Sequence, residues 1–108
     1  MSKESTASCT PQEAAVDDLR ERYSQALTWF CRESQPQWER TYQAMRCFAK
    51  LPLDPLPKIW QRRIDITFRR VNSVLAGYSI KTEQDYQQIS AEDLQKIMGL
   101  VLGLPTAR

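Results

Sequence analysis

Apolar residues recur at helical spacing along this chain of 108 residues, and this pattern constrains the fold more than any other feature. Between Lys58 and Tyr78 the apolar positions follow one another every three or four residues, so they fall on one side of a helix. These positions are Trp60, Ile64, Thr67, Phe68, Val71, Val74, Leu75 and Tyr78. The period-two alternation that is typical of strands is absent from the sequence. We therefore predict an all-α fold, a single-domain bundle of four to five helices.

Five helices are predicted from this spacing and from the helix-breaking residues between the periodic segments. They cover residues 11–33, 36–51, 57–76, 82–88 and 91–102. The first begins with the clearest signal, because Thr10 can cap a helix, Pro11 suits its first position and Glu13 stands where a capping box has its acid. Gly77 is expected to end the third helix in a left-handed conformation.

The remaining segments are a proline-rich connector and an N-terminal tail. Three prolines between residues 51 and 57 forbid a continuous helix and make the connector stiff. The leucines of the connector are expected to pack onto a domain that covers residues 10–108; they are Leu51, Leu53 and Leu56. Residues 1–9 are rich in Ser, Thr, Lys and Glu, which predicts a disordered tail.

The residue types argue against catalysis. The sequence contains no histidine, which removes the commonest general base and every metal site that needs an imidazole. Its cysteines, Cys9, Cys31 and Cys47, are not spaced as in zinc or iron–sulfur motifs, and no phosphate-binding loop occurs. We therefore expect a non-enzymatic protein with no cofactor and no metal. Redox sensing through Cys31 and Cys47 is the alternative role for these two thiols.

Two features of the sequence bear on where the protein works. No apolar run approaches the ~18 residues of a membrane span, and Met1–Thr10 lacks the apolar core of a signal peptide. The cysteines are odd in number and form no Cys-x-x-Cys pair, which favours free thiols in a reducing compartment. These features predict a cytoplasmic protein that does not contact a membrane.

The helix predicted over residues 57–76 carries its positive charge on the side opposite its apolar stripe. Projected at about 100° per residue, this outer side consists of two isoleucines framed by four arginines. We call this set the basic face; it comprises Ile59, Arg62, Arg63, Ile66, Arg69 and Arg70. Arginine pairs with carboxylates in a planar, bidentate way and is enriched at interfaces. The basic face is therefore predicted to bind a protein partner with an acidic, partly apolar surface, as an adaptor or regulator would.

Two other interpretations of the basic face are open. A nucleic-acid-binding regulator could use the same arginines for phosphate contacts, although the net charge of +2 lacks the strong basic excess typical of that class. A solvated helix face is the purely structural interpretation, with Ile59 and Ile66 covered by another helix of the chain.

The last predicted helix suggests self-association. Its C-terminal half is apolar nearly all round, which is typical of a helix that is buried centrally or that meets a partner. One expectation is therefore a homodimer whose seam is formed by Leu100, Val101 and Leu104, and burial in the core is the alternative.

Overall fold

The computed structural model describes residues 10–107, so the tail predicted over residues 1–9 lies outside the described residues. Within this range the chain is helical and contains no strand, which confirms the predicted all-α bundle. The α-helices are α1 (Pro11–Phe30), α2 (Gln37–Arg46), α3 (Lys58–Leu75) and α4 (Ala91–Leu102), and short 3-10 helices cover Glu83–Gln88 and Leu104–Thr106. None of these helices has both the length and the apolar character needed to cross a membrane.

Helix α1 begins as the sequence predicts. The Thr10 hydroxyl accepts a hydrogen bond from the Glu13 backbone N–H, and the Glu13 carboxylate accepts one from the Thr10 N–H, both at 3.0 Å. This capping box satisfies N–H groups that have no partner inside the helix. The helix ends at Phe30, earlier than the predicted Glu33. The Phe30 carbonyl oxygen accepts a hydrogen bond of 3.0 Å from the Arg40 guanidinium, in place of the N–H that a longer helix would supply.

Helix α2 ends at Arg46, well before the predicted end at Leu51, and the chain continues through turns. The carbonyl groups of these turns are occupied by a side chain of α1. The Arg22 guanidinium donates to the carbonyl oxygens of Cys47 at 3.1 Å and Ala49 at 2.7 Å. Lys50 then takes a left-handed backbone conformation with φ of 56°, which is uncommon for residues other than glycine and is incompatible with a continuing helix.

Helix α3 ends at Leu75, and the residues after it correct the prediction for Gly77. No glycine among residues 10–107 has a positive φ, so Gly77 does not form a left-handed cap. Ala76 caps the helix in the right-handed conformation instead, and the Tyr78 N–H donates to the Leu75 carbonyl oxygen at 2.9 Å. A right-handed cap of this kind does not need the conformational freedom of glycine.

The core consists of two clusters of buried side chains. The larger cluster joins all four α-helices and includes Leu19, Ala26, Ala44, Ile64, Val71, Ile97, Val101 and Leu104. The smaller cluster is formed by Tyr86, Ile89 and Leu94, and Tyr42 of α2 packs against it. Leu75, the last residue of α3, packs against both clusters.

The proline-rich connector packs onto the domain only in part. Leu56 is 3% exposed and belongs to the larger cluster, and the half-buried Leu51 packs against that cluster. Leu53 is 39% exposed, so the expectation that all three leucines pack onto the domain fails for this residue. One apolar side chain of the connector is thereby left at the surface.

Candidate functional site

The outer side of α3 presents the two isoleucines of the basic face to different degrees. Ile59, in the first turn of the helix, is 53% exposed, whereas Ile66 is half-buried. The interpretation in which another helix covers both side chains therefore does not hold for Ile59. A single exposed aliphatic side chain is common at protein surfaces and does not by itself indicate a binding site. Ile59, however, shares its side of α3 with the arginines of the basic face.

The four arginines of the basic face are not equivalent. Arg62 and Arg69 are both exposed and lie on nearly the same line along the helix. The Arg69 guanidinium pairs with the Asp65 carboxylate at 2.6 Å, and both side chains are more than half exposed. Such a pair contributes at most about 1 kcal/mol, so a competing carboxylate can replace Asp65. These two arginines are the ones that point away from the rest of the bundle.

The other two arginines lie toward neighbouring parts of the chain. Arg63 is half-buried, and its guanidinium lies 5.1 Å from the centre of the Trp60 ring in a cation–π contact. Arg70 is exposed and lines a shallow cleft with Gly99 and Leu100 of α4. The structure therefore places Arg63 and Arg70 at one edge of the basic face, against Trp60 and α4.

The charge on α3 is not explained by the stability of the helix. The helix has five basic side chains, and Asp65 is its one acidic residue. Basic side chains stabilise a helix in its last turn and acidic ones in its first turn, because they complement the helix dipole. Helix α3 has no acidic residue in its first turn, where Lys58 lies, and no basic residue in its last turn. Lys58 therefore opposes the dipole, and the four arginines lie outside the first and last turns, so the dipole does not account for them.

The predicted dimer seam lies mostly inside the bundle. Val101 is 0% exposed and Leu104 is 1% exposed, because both side chains pack in the larger core cluster. The predicted seam is therefore corrected, because two of its three side chains are buried and cannot contact a second copy of the chain. Leu100 is half-buried and lines the cleft beside Arg70, and the exposed apolar side chain at this end is Leu102. Self-association through the accessible residues of α4 stays a prediction.

The two described cysteines lie at the ends of helices. Cys31 caps α1 and is exposed, whereas Cys47 caps α2, is half-buried and donates through its thiol to the Gln43 carbonyl oxygen at 3.4 Å. Burial raises the pKa of the Cys47 thiol, which lowers its thiolate fraction at neutral pH. A redox-reactive thiol needs the opposite shift. Among residues 10–107, no three acidic or cysteine side chains are grouped so that they could hold a metal ion.

A pocket that is lined in part by the apolar stripe of α3 could not be seen in the sequence pattern. It has a volume of about 360 Å³ and lies between the end of α2, the connector and α3. We call it the apolar pocket; it is lined by Met45, Phe48, Ala49, Lys50, Leu51, Leu53, Ile64 and Phe68. Its shape depends on the early end of α2 and on the left-handed Lys50, and a lysine gives no signal for that conformation.

The basic face and the apolar pocket are thus defined by the residues of this chain alone. No protein-family model, no curated protein and no solved structure matches the chain.

Proposed function

We propose that this protein is a non-enzymatic adaptor or regulator that binds an acidic, partly apolar surface of another protein through the basic face of α3. The observation that carries the proposal is the exposure of Ile59, 53% of which is accessible on the same side of α3 as Arg62 and Arg69. An aliphatic side chain supplies apolar contact, and the guanidinium groups supply paired hydrogen bonds to carboxylates. Protein interfaces combine these two contributions, with an apolar centre inside a polar rim.

The charge distribution supports an acidic partner. Lys58 lies in the first turn, where it opposes the helix dipole, and the four arginines lie outside both terminal turns, so the dipole gives no reason for their position. A local positive potential attracts an acidic partner and orients it during encounter. The exposed pair of Arg69 with Asp65 is weak enough for a partner carboxylate to take over the guanidinium.

The composition of the face favours a protein over a nucleic acid. Phosphate contacts use arginine and lysine, but a phosphate backbone offers little apolar surface for a side chain such as Ile59. The net charge of +2 is also small for a nucleic-acid-binding protein. Nucleic-acid binding through the same arginines is therefore the competing outcome of the experiment below.

Selection from a library of random peptides displayed on phage tests the proposal without a known partner. The folded chain is expected to select peptides in which Asp and Glu surround Leu, Ile, Phe or Trp. Ile59→Asp and Arg62→Glu are each expected to lower the affinity for the selected peptides by about tenfold or more, as measured by fluorescence anisotropy. The same charge changes on other helices serve as controls: Leu102→Asp on α4 and Arg20→Glu on α1 should each change binding by less than about twofold.

Three results would contradict the proposal. The first is a library that yields no peptide that binds the basic face. The second is a loss of binding from Arg20→Glu as large as the loss from Arg62→Glu, which would make the effect one of net charge. The third is tight binding of mixed-sequence DNA or RNA that falls steeply with salt and is unaffected by Ile59→Asp. That result would replace the protein partner with a nucleic acid.

A further inference from the structure

We infer that the apolar pocket receives one bulky apolar side chain of the partner, and that a carboxylate beside this side chain in the partner's sequence pairs with Lys50. The inference rests on the proposed function, because it specifies the kind of segment that the same surface recognises. The partner segment is thus acidic and carries a single apolar anchor.

The lining of the pocket selects an apolar occupant. Every lining residue except Lys50 is apolar. Phe48 and Phe68 form the aromatic part of this lining, with ring centres 5.3 Å apart. Leu53, on the connector, is 39% exposed, so part of the apolar lining stays in contact with water when the pocket is empty. Covering this surface with an apolar side chain removes it from water, which is favourable.

The polar groups of the pocket favour a side chain over a free small molecule. Sites for small molecules generally use several convergent polar groups to fix the orientation of the ligand, and they measure about 300–1,000 Å³. The volume here, about 360 Å³, is at the lower end of that range, and Lys50 supplies the one polar side chain of the lining. A partner segment does not need such groups, because its own backbone and its contacts with the basic face orient the anchor.

The charge around the pocket indicates that the segment is acidic. Lys50 is exposed and lines the pocket. On α3, Phe68 lines the pocket, and Arg69, the next residue, lies about 100° further round the helix toward the outer side. Lys50 is the one charged side chain of the lining, which contains no acidic residue. A carboxylate is therefore the group of a partner segment that the charge in the pocket lining favours.

The pocket and the basic face approach each other at one edge, because Phe68 of the pocket and Arg69 of the basic face are consecutive residues about 100° apart round α3. Ile64 and Phe68 of α3 contribute to the pocket, while Arg62 and Arg69 of the same helix contribute to the basic face. A segment that turns round α3 at this edge can therefore place its anchor in the pocket and a carboxylate on Arg69. An anchor in a pocket surrounded by polar contacts is the usual arrangement of an interface hot spot.

A double-mutant cycle between the chain and a selected peptide tests this inference. Ala49 is exposed and lines the pocket, so Ala49→Trp places an indole over it and leaves the carbonyl that accepts from Arg22 in place. Replacing the bulky apolar residue of the peptide with Ala is expected to weaken binding to the natural chain by about tenfold or more. The same peptide change should weaken binding to the Ala49→Trp chain by less than about twofold, because the pocket is already filled.

Two further variants keep the test independent of any effect of Ala49→Trp on folding. Leu53→Glu puts a charge at the edge of the pocket, and Leu102→Glu, at a residue with the same 39% exposure on α4, is its matched control. Of these two substitutions, only Leu53→Glu is expected to weaken binding of the peptide. Lys50→Gln is expected to abolish the effect of changing the neighbouring peptide Asp or Glu to its amide.

The failure of this inference differs from the failure of the proposed function. Equal losses from the peptide change in the natural and Ala49→Trp chains would overturn the pocket as the seat of the anchor. If Ile59→Asp still weakens binding of that peptide, the basic face stays the docking surface. If Ile59→Asp has no effect either, the proposed function is overturned as well.

Discussion

The guanidinium of Arg22 donates a hydrogen bond of 2.7 Å to the carbonyl oxygen of Ala49, and so ties the middle of α1 to the turn after α2. It donates a second bond, of 3.1 Å, to the carbonyl oxygen of Cys47 and a third, of 2.8 Å, to the carboxylate of Asp18. The side chain is 22% exposed, so water replaces these bonds only in part when the guanidinium is removed.

Arg22→Ala is accordingly expected to lower the free energy of unfolding by about 2 kcal/mol, since hydrogen bonds to charged groups contribute more than neutral ones. Urea unfolding followed by tryptophan fluorescence measures the change. Arg20→Ala is the matched control, because Arg20 is 74% exposed and lies 3.8 Å from Asp17 in a weak pair. Its effect should stay below about 0.5 kcal/mol. Equal effects of the two substitutions would contradict a role for Arg22 in holding the turn.

Thr67→Val is expected to stabilise the protein. Thr67 is 1% exposed, and its hydroxyl has no hydrogen-bond partner among residues 10–107. Valine has nearly the same shape and lacks the hydroxyl, so the free energy of unfolding should rise by about 1 kcal/mol. Thr41 is equally buried but donates to the Gln37 carbonyl oxygen at 2.9 Å, so Thr41→Val should be neutral or destabilising. The idea fails if the two substitutions shift the urea midpoint in the same direction.

Gly99→Ala is expected to raise the free energy of unfolding by about 0.5–1 kcal/mol, because alanine restricts the unfolded chain and favours the helix. A Cβ atom at Gly99 meets no atom within 4 Å, so the gain carries no steric cost. At Gly103, which caps α4, a Cβ would lie 3.3 Å from the Gly99 carbonyl oxygen. Gly103→Ala should therefore raise the free energy of unfolding by less than Gly99→Ala does. Thermal unfolding of both variants checks the order, and a larger gain at Gly103 would contradict it.

The stability of the protein should depend on Asp85 in acid. Its carboxylate accepts hydrogen bonds from the backbone N–H groups of Lys81 at 2.7 Å and Thr82 at 2.9 Å. These bonds hold the pKa of Asp85 below its ordinary value, so the unfolded chain binds the proton more readily than the folded one. The stabilisation is fully present above the unfolded pKa of about 4 and is lost as the pH falls through the lower folded pKa.

Asp85→Asn should therefore destabilise the protein at neutral pH and flatten the fall of its stability below about pH 4. Urea unfolding at a series of pH values gives both quantities. A variant that loses stability in acid as steeply as the natural chain would show that the carboxylate does not carry this dependence.

The sequence predicted the helices well because helical periodicity reflects burial directly. Ile64 and Val71, taken from the periodic stripe, are 5% and 0% exposed. The ends of α1 and α2 were predicted too late along the chain, since they depend on contacts between distant residues. Arg40 binds the carbonyl oxygen of Phe30, and Arg22 binds those after α2. A local pattern contains no information about which guanidinium reaches which carbonyl oxygen.

The candidate site was predictable to a similar extent. Helix geometry determines which residues of α3 share a side, so the basic face could be predicted from the sequence. The exposure of Ile59 and the burial of Val101 depend on how the helices pack together, and a helical pattern does not predict that packing. The apolar pocket was missed because it is formed by segments that are distant in sequence, and because the left-handed Lys50 has no sequence signal.

Leu75 connects two core clusters that otherwise have separate members, and this arrangement bears on how the fold opens. The smaller cluster is formed by Tyr86 of the 3-10 helix Glu83–Gln88, by Ile89, which follows that helix, and by Leu94 of α4. This cluster has only three buried members, so we expect the amide protons of residues 83–89 to exchange with solvent through a local opening that leaves the larger cluster intact. Helices α2 and α4 place side chains against both clusters as well, so Leu75 is one of several links between the two parts of the core.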